Sequence, residues 1–98
     1  RDNMRATNMT FTQTMPVTKQ AVSEDIIYKE EDKNAQYVAV TLEYKDADGN
    51  VLATKREEII GEYFQLLMSE APDFAPGKPA NEYREQDLYY VIDMIRSR

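Results

Sequence analysis

Residues 36–58 read QYVAVTLEYKDADGNVLATKREE, two runs of strand-forming residues on either side of Asp46-Ala47-Asp48-Gly49. Side chains alternate across a strand, so Val38, Val40, Leu42 and Tyr44 share one face while Tyr37, Ala39, Thr41, Glu43 and Lys45 take the other. The first set is the better core face. The intervening residues suit a type I turn followed by a left-handed residue, with Gly49 supplying positive φ and no side chain to clash. This sets Asp46 opposite Asn50, Tyr44 opposite Leu52 and Leu42 opposite Thr54. The return strand turns polar at Lys55, Arg56, Glu57 and Glu58, as suits an edge strand whose charges resist pairing with other chains.

Toward the N-terminus, Asn8 to Met15 alternates with period two: Met9, Phe11 and Met15 share a face with Gln13, and Thr10, Thr12 and Thr14 take the other. A half-buried strand over about 8–15 follows. Pro16 removes a backbone donor, so Val17 to Ser23 is expected to be a turn or an extended connection. The run Ile26, Ile27, Tyr28 is a second strand or an apolar plug. Lys29 to Asn34 (KEEDKN) reads as a solvated charged loop. Residues 1–8 are polar and are set apart as disordered or added sequence.

Toward the C-terminus the period changes to about 3.6. Ile60, Phe64, Leu67 and Ala71 fall on one stripe with Tyr63 and Met68 beside it, and Glu62 near the start suits the helix dipole, which predicts a helix over about 61–70. Pro72 stops it. The segment PDFAPGKPAN, Pro72 to Asn81, is a stiff irregular crossing in which Phe74 is expected to anchor to the core. Asn81 is the expected N-cap of a second helix over about 82–96, where Leu88, Val91, Ile92 and Ile95 recur at helical spacing. Strands at about 8–15, 26–28, 36–45 and 51–58 followed by two helices predict an α+β fold: a small antiparallel sheet of three to four strands with both helices on one face.

With 98 residues and 42% hydrophobic content, the chain is expected to form a single domain. The net charge of -6 is spread evenly: residues 1–49 hold six bases and nine acids, and residues 50–98 hold the same. No basic stripe is present, which argues against nucleic acid as a partner. The absence of cysteine favours a cytoplasmic or intracellularly assembled protein. No run is long and apolar enough for a membrane span, and the N-terminus is too polar for a signal peptide.

The chain has no histidine, so the commonest general base is missing along with the thiol nucleophile. Asp46, Asp48 and Asn50 mimic a calcium loop, with Glu57 at the twelfth position. Such a loop needs glycine at its sixth position, which here is Val51, and it needs helices on both sides. Glu57 and Glu58 are strand neighbours that point to opposite faces, and Glu30-Glu31-Asp32 is a solvated cluster. The three glycines lie far apart, so no phosphate loop exists, and Ser23, Ser69 and Ser97 have no activating base. No catalytic, cofactor or metal residue is therefore expected, and no small-molecule substrate.

Seven tyrosines remain to be accounted for. Tyr63, Tyr83, Tyr89 and Tyr90 give more amphipathic aromatic surface than a small core must hold, and tyrosine suits interfaces because its body is apolar and its hydroxyl stays wet. The alternative is that they cover the rim of the core. Tyr89 and Tyr90 are the better interface candidates, because adjacent helical residues diverge by about 100° and cannot both share the Leu88, Ile92, Ile95 stripe.

The segments EYKDADGNVLATKREEI (43–59) and EYFQLLMSEAPDFAPGKPANEYREQDLYYVIDMIR (62–96) resemble small uncharacterised proteins encoded in phages and prophages of Gram-positive bacteria, over about residues 9–96. That resemblance implies a virion, tail or assembly protein and brings no functional residue with it. Three expectations follow. The leading one is a non-enzymatic structural or interaction protein that presents a sheet edge and an aromatic helix face to copies of itself or to another protein. The second is an acidic inhibitor that mimics nucleic acid on a host enzyme. The third is an enzyme or metal module built from carboxylates alone.

Overall fold

Asp46 and Gly49 close the central hairpin. The Asp46 N–H donates to the Asn50 carbonyl at 3.0 Å and the Gly49 N–H to the Asp46 carbonyl at 3.1 Å, with Gly49 at φ 84°. The Asp46 carboxylate accepts the N–H groups of Asp48 and Asn50, both at 2.9 Å. The Asn50 N–H is the largest influence holding this carboxyl below its usual range; partial burial opposes it, and Lys19 assists.

The structure, a computed structural model, describes residues 4–12 and 18–98. The strands are β1 (Met4–Ala6), β2 (Thr10–Thr12), β3 (Thr18–Gln20), β4 (Ser23–Asp32), β5 (Tyr37–Lys45) and β6 (Val51–Ile60), and the helices are α1 (Gly61–Met68) and α2 (Glu85–Ser97). The fold is α+β. One antiparallel sheet has the order β1-β4-β5-β6, and β2 pairs with β3 in a second. Residue packing groups the chain into two compact units, Arg1–Lys29 with Val40–Glu57, and Glu30–Ala39 with Glu58–Arg98. Strands β4, β5 and β6 contribute residues to both.

In the first unit, Ala21, Ile26, Val40, Leu42 and Tyr44 are buried. Two of its elements depart from the sequence expectation. Met4–Ala6, set apart as disordered or added, is strand β1, antiparallel to β4 with Arg5 opposite Glu24. The Arg5 guanidinium donates to one oxygen of the Glu24 carboxylate, and the Tyr44 hydroxyl donates to the other. A polar segment thus becomes strand through a cross-strand ion pair with a glutamate that is 1% exposed. Thr18–Gln20, expected as a connection, forms β3 against Thr10–Thr12; extended backbone ladders readily once a partner lies opposite. Of the expected strand 8–15, residues 13–15 lie outside the described residues.

Strand β4 is much longer than the expected 26–28, because pairing satisfies its backbone while Lys29, Glu31 and Asp32 stay exposed. The turn after it is shorter than KEEDKN. The Asp32 carboxylate accepts the N–H groups of Asn34 at 2.9 Å and Ala35 at 3.0 Å, and Gln36 takes φ 60° before β5 begins. Phe11 packs on Tyr44 with ring centroids 5.1 Å apart, and the Lys55 ammonium lies 5.5 Å from the Phe11 ring centre.

In the second unit, Phe64, Leu67 and Met68 of α1 and Leu88, Tyr89, Val91 and Ile92 of α2 are buried, and the two helices pack on each other. Gly61 at φ 58° turns the chain from extended Ile60 directly into α1. Helix α1 ends at Met68, so the expected stripe loses both ends: Ile60 precedes the helix and is 54% exposed, and Ala71 follows it at φ 46°. Helix α2 starts later than expected. Asn81 is not its N-cap but sits at φ 65°, donating its N–H to the Met68 carbonyl at 2.8 Å, and the cap is Arg84.

Candidate functional site

The segment between the two helices is built by short-range hydrogen bonds. The Ser69 hydroxyl donates to the Leu66 carbonyl at 2.6 Å and closes the last turn of α1. Beyond it, the Ala71 N–H donates to the Lys78 carbonyl at 2.8 Å, the Ala75 N–H to Pro72 at 2.9 Å and the Lys78 N–H to Ala75 at 3.0 Å. Prolines remove donors here, and these three of the remaining N–H groups tie the segment to itself.

Lys78 holds this arrangement from within. It is 6% exposed, and its ammonium donates to the carbonyls of Ser69 at 2.6 Å, Glu82 at 2.7 Å and Pro79 at 3.1 Å. Three donors meet three acceptors, so the buried cation is fully satisfied. Its charge also suits the carbonyl-rich end of α1. No sequence signal distinguishes Lys78 from a surface lysine.

At the start of α2, Asp87 is 1% exposed. It accepts the Arg84 N–H at 2.8 Å and the Arg84 side chain through Nε at 3.1 Å and Nη2 at 3.0 Å. Burial alone raises the pKa of this carboxyl. The hydrogen bonds from Arg84, with the charges of Arg84 and Lys78, outweigh burial and hold it below its usual range.

On this frame Phe74 lies against Tyr90 of α2, ring centroids 4.4 Å apart and planes 20° from parallel. Phe74 was expected to anchor in the core, but it is only half-buried and is held by a tyrosine that is itself 48% exposed. With Leu66, Pro72 and Met94 these rings line a groove of about 350 Å³, and Asp73 stands on its wall. Met94, one turn after Tyr90 and 37% exposed, was legible at i+4 spacing. Phe74 and Tyr83 also line a neighbouring, more polar groove of about 610 Å³ with Lys78 and Arg84.

The four tyrosines expected at an interface are not gathered. Tyr89 is 8% exposed, which corrects its candidacy: α2 buries a broad face that takes in Leu88, Tyr89 and Ile92 together. The Tyr83 hydroxyl donates to the Glu31 carboxylate; burial first, then Glu31, pushes its phenol far above the ordinary value. Tyr63 sits in a separate groove of about 420 Å³ with Ile60 and Ile95, and the Arg98 guanidinium lies 5.5 Å from its ring centre. Tyr90, about half exposed, is the most open of the four and forms part of an apolar surface.

The Ser69 hydroxyl is committed to a main-chain carbonyl, as is that of Ser97, which donates to Asp93 at 2.8 Å. Among the described residues, no three acidic side chains converge where they could hold a metal ion, and no helix is long and apolar enough to cross a membrane. Compared with known proteins, the chain matches no family model, and no curated protein or solved structure is significantly similar to it.

Proposed function

We propose that this protein is a non-enzymatic interaction module whose docking face is the groove of Leu66, Pro72, Phe74, Tyr90 and Met94. The observation that supports this reading is the Phe74–Tyr90 stack, in which a fixed aromatic pair keeps about half of Tyr90 exposed on an apolar wall. Aromatic side chains held rigid and left open lose little entropy when a partner covers them, which is why they dominate interface energetics. The resemblance of residues 9–96 to phage and prophage proteins is the support for a virion or assembly setting.

The test is co-purification with the products of neighbouring genes, using wild-type chain and Tyr90→Arg side by side. A partner held by the wild type and lost by Tyr90→Arg, at unchanged melting temperature, supports the reading. A partner bound equally by both removes the groove from it. A wild-type chain that binds none of these products and stays monomeric overturns the interaction reading itself.

A further inference from the structure

A different surface carries an inference of its own. Strand β6 is the last in the order β1-β4-β5-β6, so one of its edges faces no strand among the described residues. It is ten residues long, and long edges template pairing with another chain unless something prevents it. Charge is the usual device, and it works when one sign runs along the edge, because a second copy is then repelled in every register.

The charges of β6 do not run that way. Lys55, Arg56, Glu57 and Glu58 place two bases before two acids. A copy laid antiparallel reads the same letters in reverse, so bases meet acids. A two-fold axis perpendicular to an antiparallel pair brings some residue opposite its own copy. With Arg56 at that axis the two Arg56 residues lie opposite each other, a like-charge pair that costs stability, while Lys55 lies opposite Glu57 of the second copy, twice by symmetry, and each Arg56 has Glu58 of the second copy as its diagonal neighbour. The register also accounts for an apolar side chain that a lone edge strand leaves in water: Ile60, 54% exposed, comes opposite Leu52 of the second copy.

We infer that β6 is a self-pairing edge, through which two copies of this chain join antiparallel about Arg56 into a continuous sheet. The interface is small, so the dimer is weak and populated only at high concentration. Its charge pairs lie at the sheet edge, with Lys55 exposed and Glu57 half-buried, so added salt loosens it. The inference is independent of the aromatic groove, and Tyr90→Arg is the control that leaves it unchanged.

Sedimentation between about 10 µM and 1 mM tests it, a span that brackets dissociation constants expected of weak pairs. Wild type is expected to pass from monomer to dimer across this range, with a midpoint that rises with salt. Lys55→Glu puts acid opposite acid and Glu57→Lys puts base opposite base, so each alone is expected to stay monomeric. An equimolar mixture of the two restores opposite charges at both positions, and it is expected to dimerise. A monomeric wild type overturns the inference, as does a dimer that survives either single change or a mixture that fails to recover. If either charge variant does not fold, Arg56→Cys decides: the chain has no other cysteine, and a disulfide dimer under mild oxidation supports the register, whereas its absence overturns it.

Discussion

The ammonium of Lys78 lies 2.6 Å from the carbonyl oxygen of Ser69, joining the end of α1 to a point nine residues further along the chain. Because the same group also serves Glu82 and Pro79, one side chain replaces solvent for three carbonyls in a segment short of donors. Lys78→Met keeps the aliphatic stem and leaves those acceptors without their donor. It is expected to destabilise the protein by about 2–3 kcal/mol, read as a lower urea midpoint at unchanged m-value. An unchanged midpoint would show that water substitutes freely for the ammonium.

Asp87 gives stability a pH dependence with a definite sign. Its folded carboxyl ionises below the ordinary value of 3.8, so folding favours the charged form. That contribution is complete above the unfolded value and is lost as pH falls from about 4 toward the folded value. Asp46 acts in the same direction. Asp87→Asn is expected to lose about 1–2 kcal/mol at neutral pH and to show a flatter acid limb than wild type. Parallel acid limbs for the two proteins would refute this.

Gly61 makes the switch from β6 to α1 without a connecting loop, at φ 58°. No heavy atom lies within 4 Å of where a Cβ would stand, so Gly61→Ala meets only backbone strain, about 1–2 kcal/mol. Gly77 has equally open space and no left-handed φ, so Gly77→Ala is expected to be neutral or slightly stabilising. Thermal unfolding of the pair checks this: equal shifts would mean that the left-handed backbone is not what costs.

The Phe74–Tyr90 stack predicts a coupling. Phe74→Ala, Tyr90→Ala and the double variant form a cycle whose interaction energy is expected to be about 0.5–1.5 kcal/mol. Urea titration of all four proteins measures it. Strict additivity would mean that the rings touch without holding the interhelical segment.

Much of this architecture was legible and some was not, for reasons particular residues show. Val38, Val40, Leu42 and Tyr44 alternate with residues of the opposite face, and all four are fully buried, because period two on a strand is a local property. Asn81 misled because asparagine serves both as a helix cap and as a left-handed residue, and which role it takes depends on the Met68 carbonyl it meets. Arg5 and Glu24 lie nineteen residues apart, and nothing local marks them as partners. Tyr89 and Tyr90 look equivalent in sequence; α2 buries one and Phe74 props up the other.

From its letters alone, this chain had its α+β class, its central hairpin and the two-plus-two charge order of Lys55 to Glu58 already determined. Each of these rests on a period, a turn residue or a neighbour within a few positions. Tertiary structure alone decided that Met4–Ala6 joins the sheet, that Lys78 is buried, and that Tyr90 rather than Tyr89 faces outward. Those outcomes depend on which backbone carbonyl, carboxylate or ring arrives from elsewhere in the chain, and desolvation makes a polar group's fate turn on whether that partner is there.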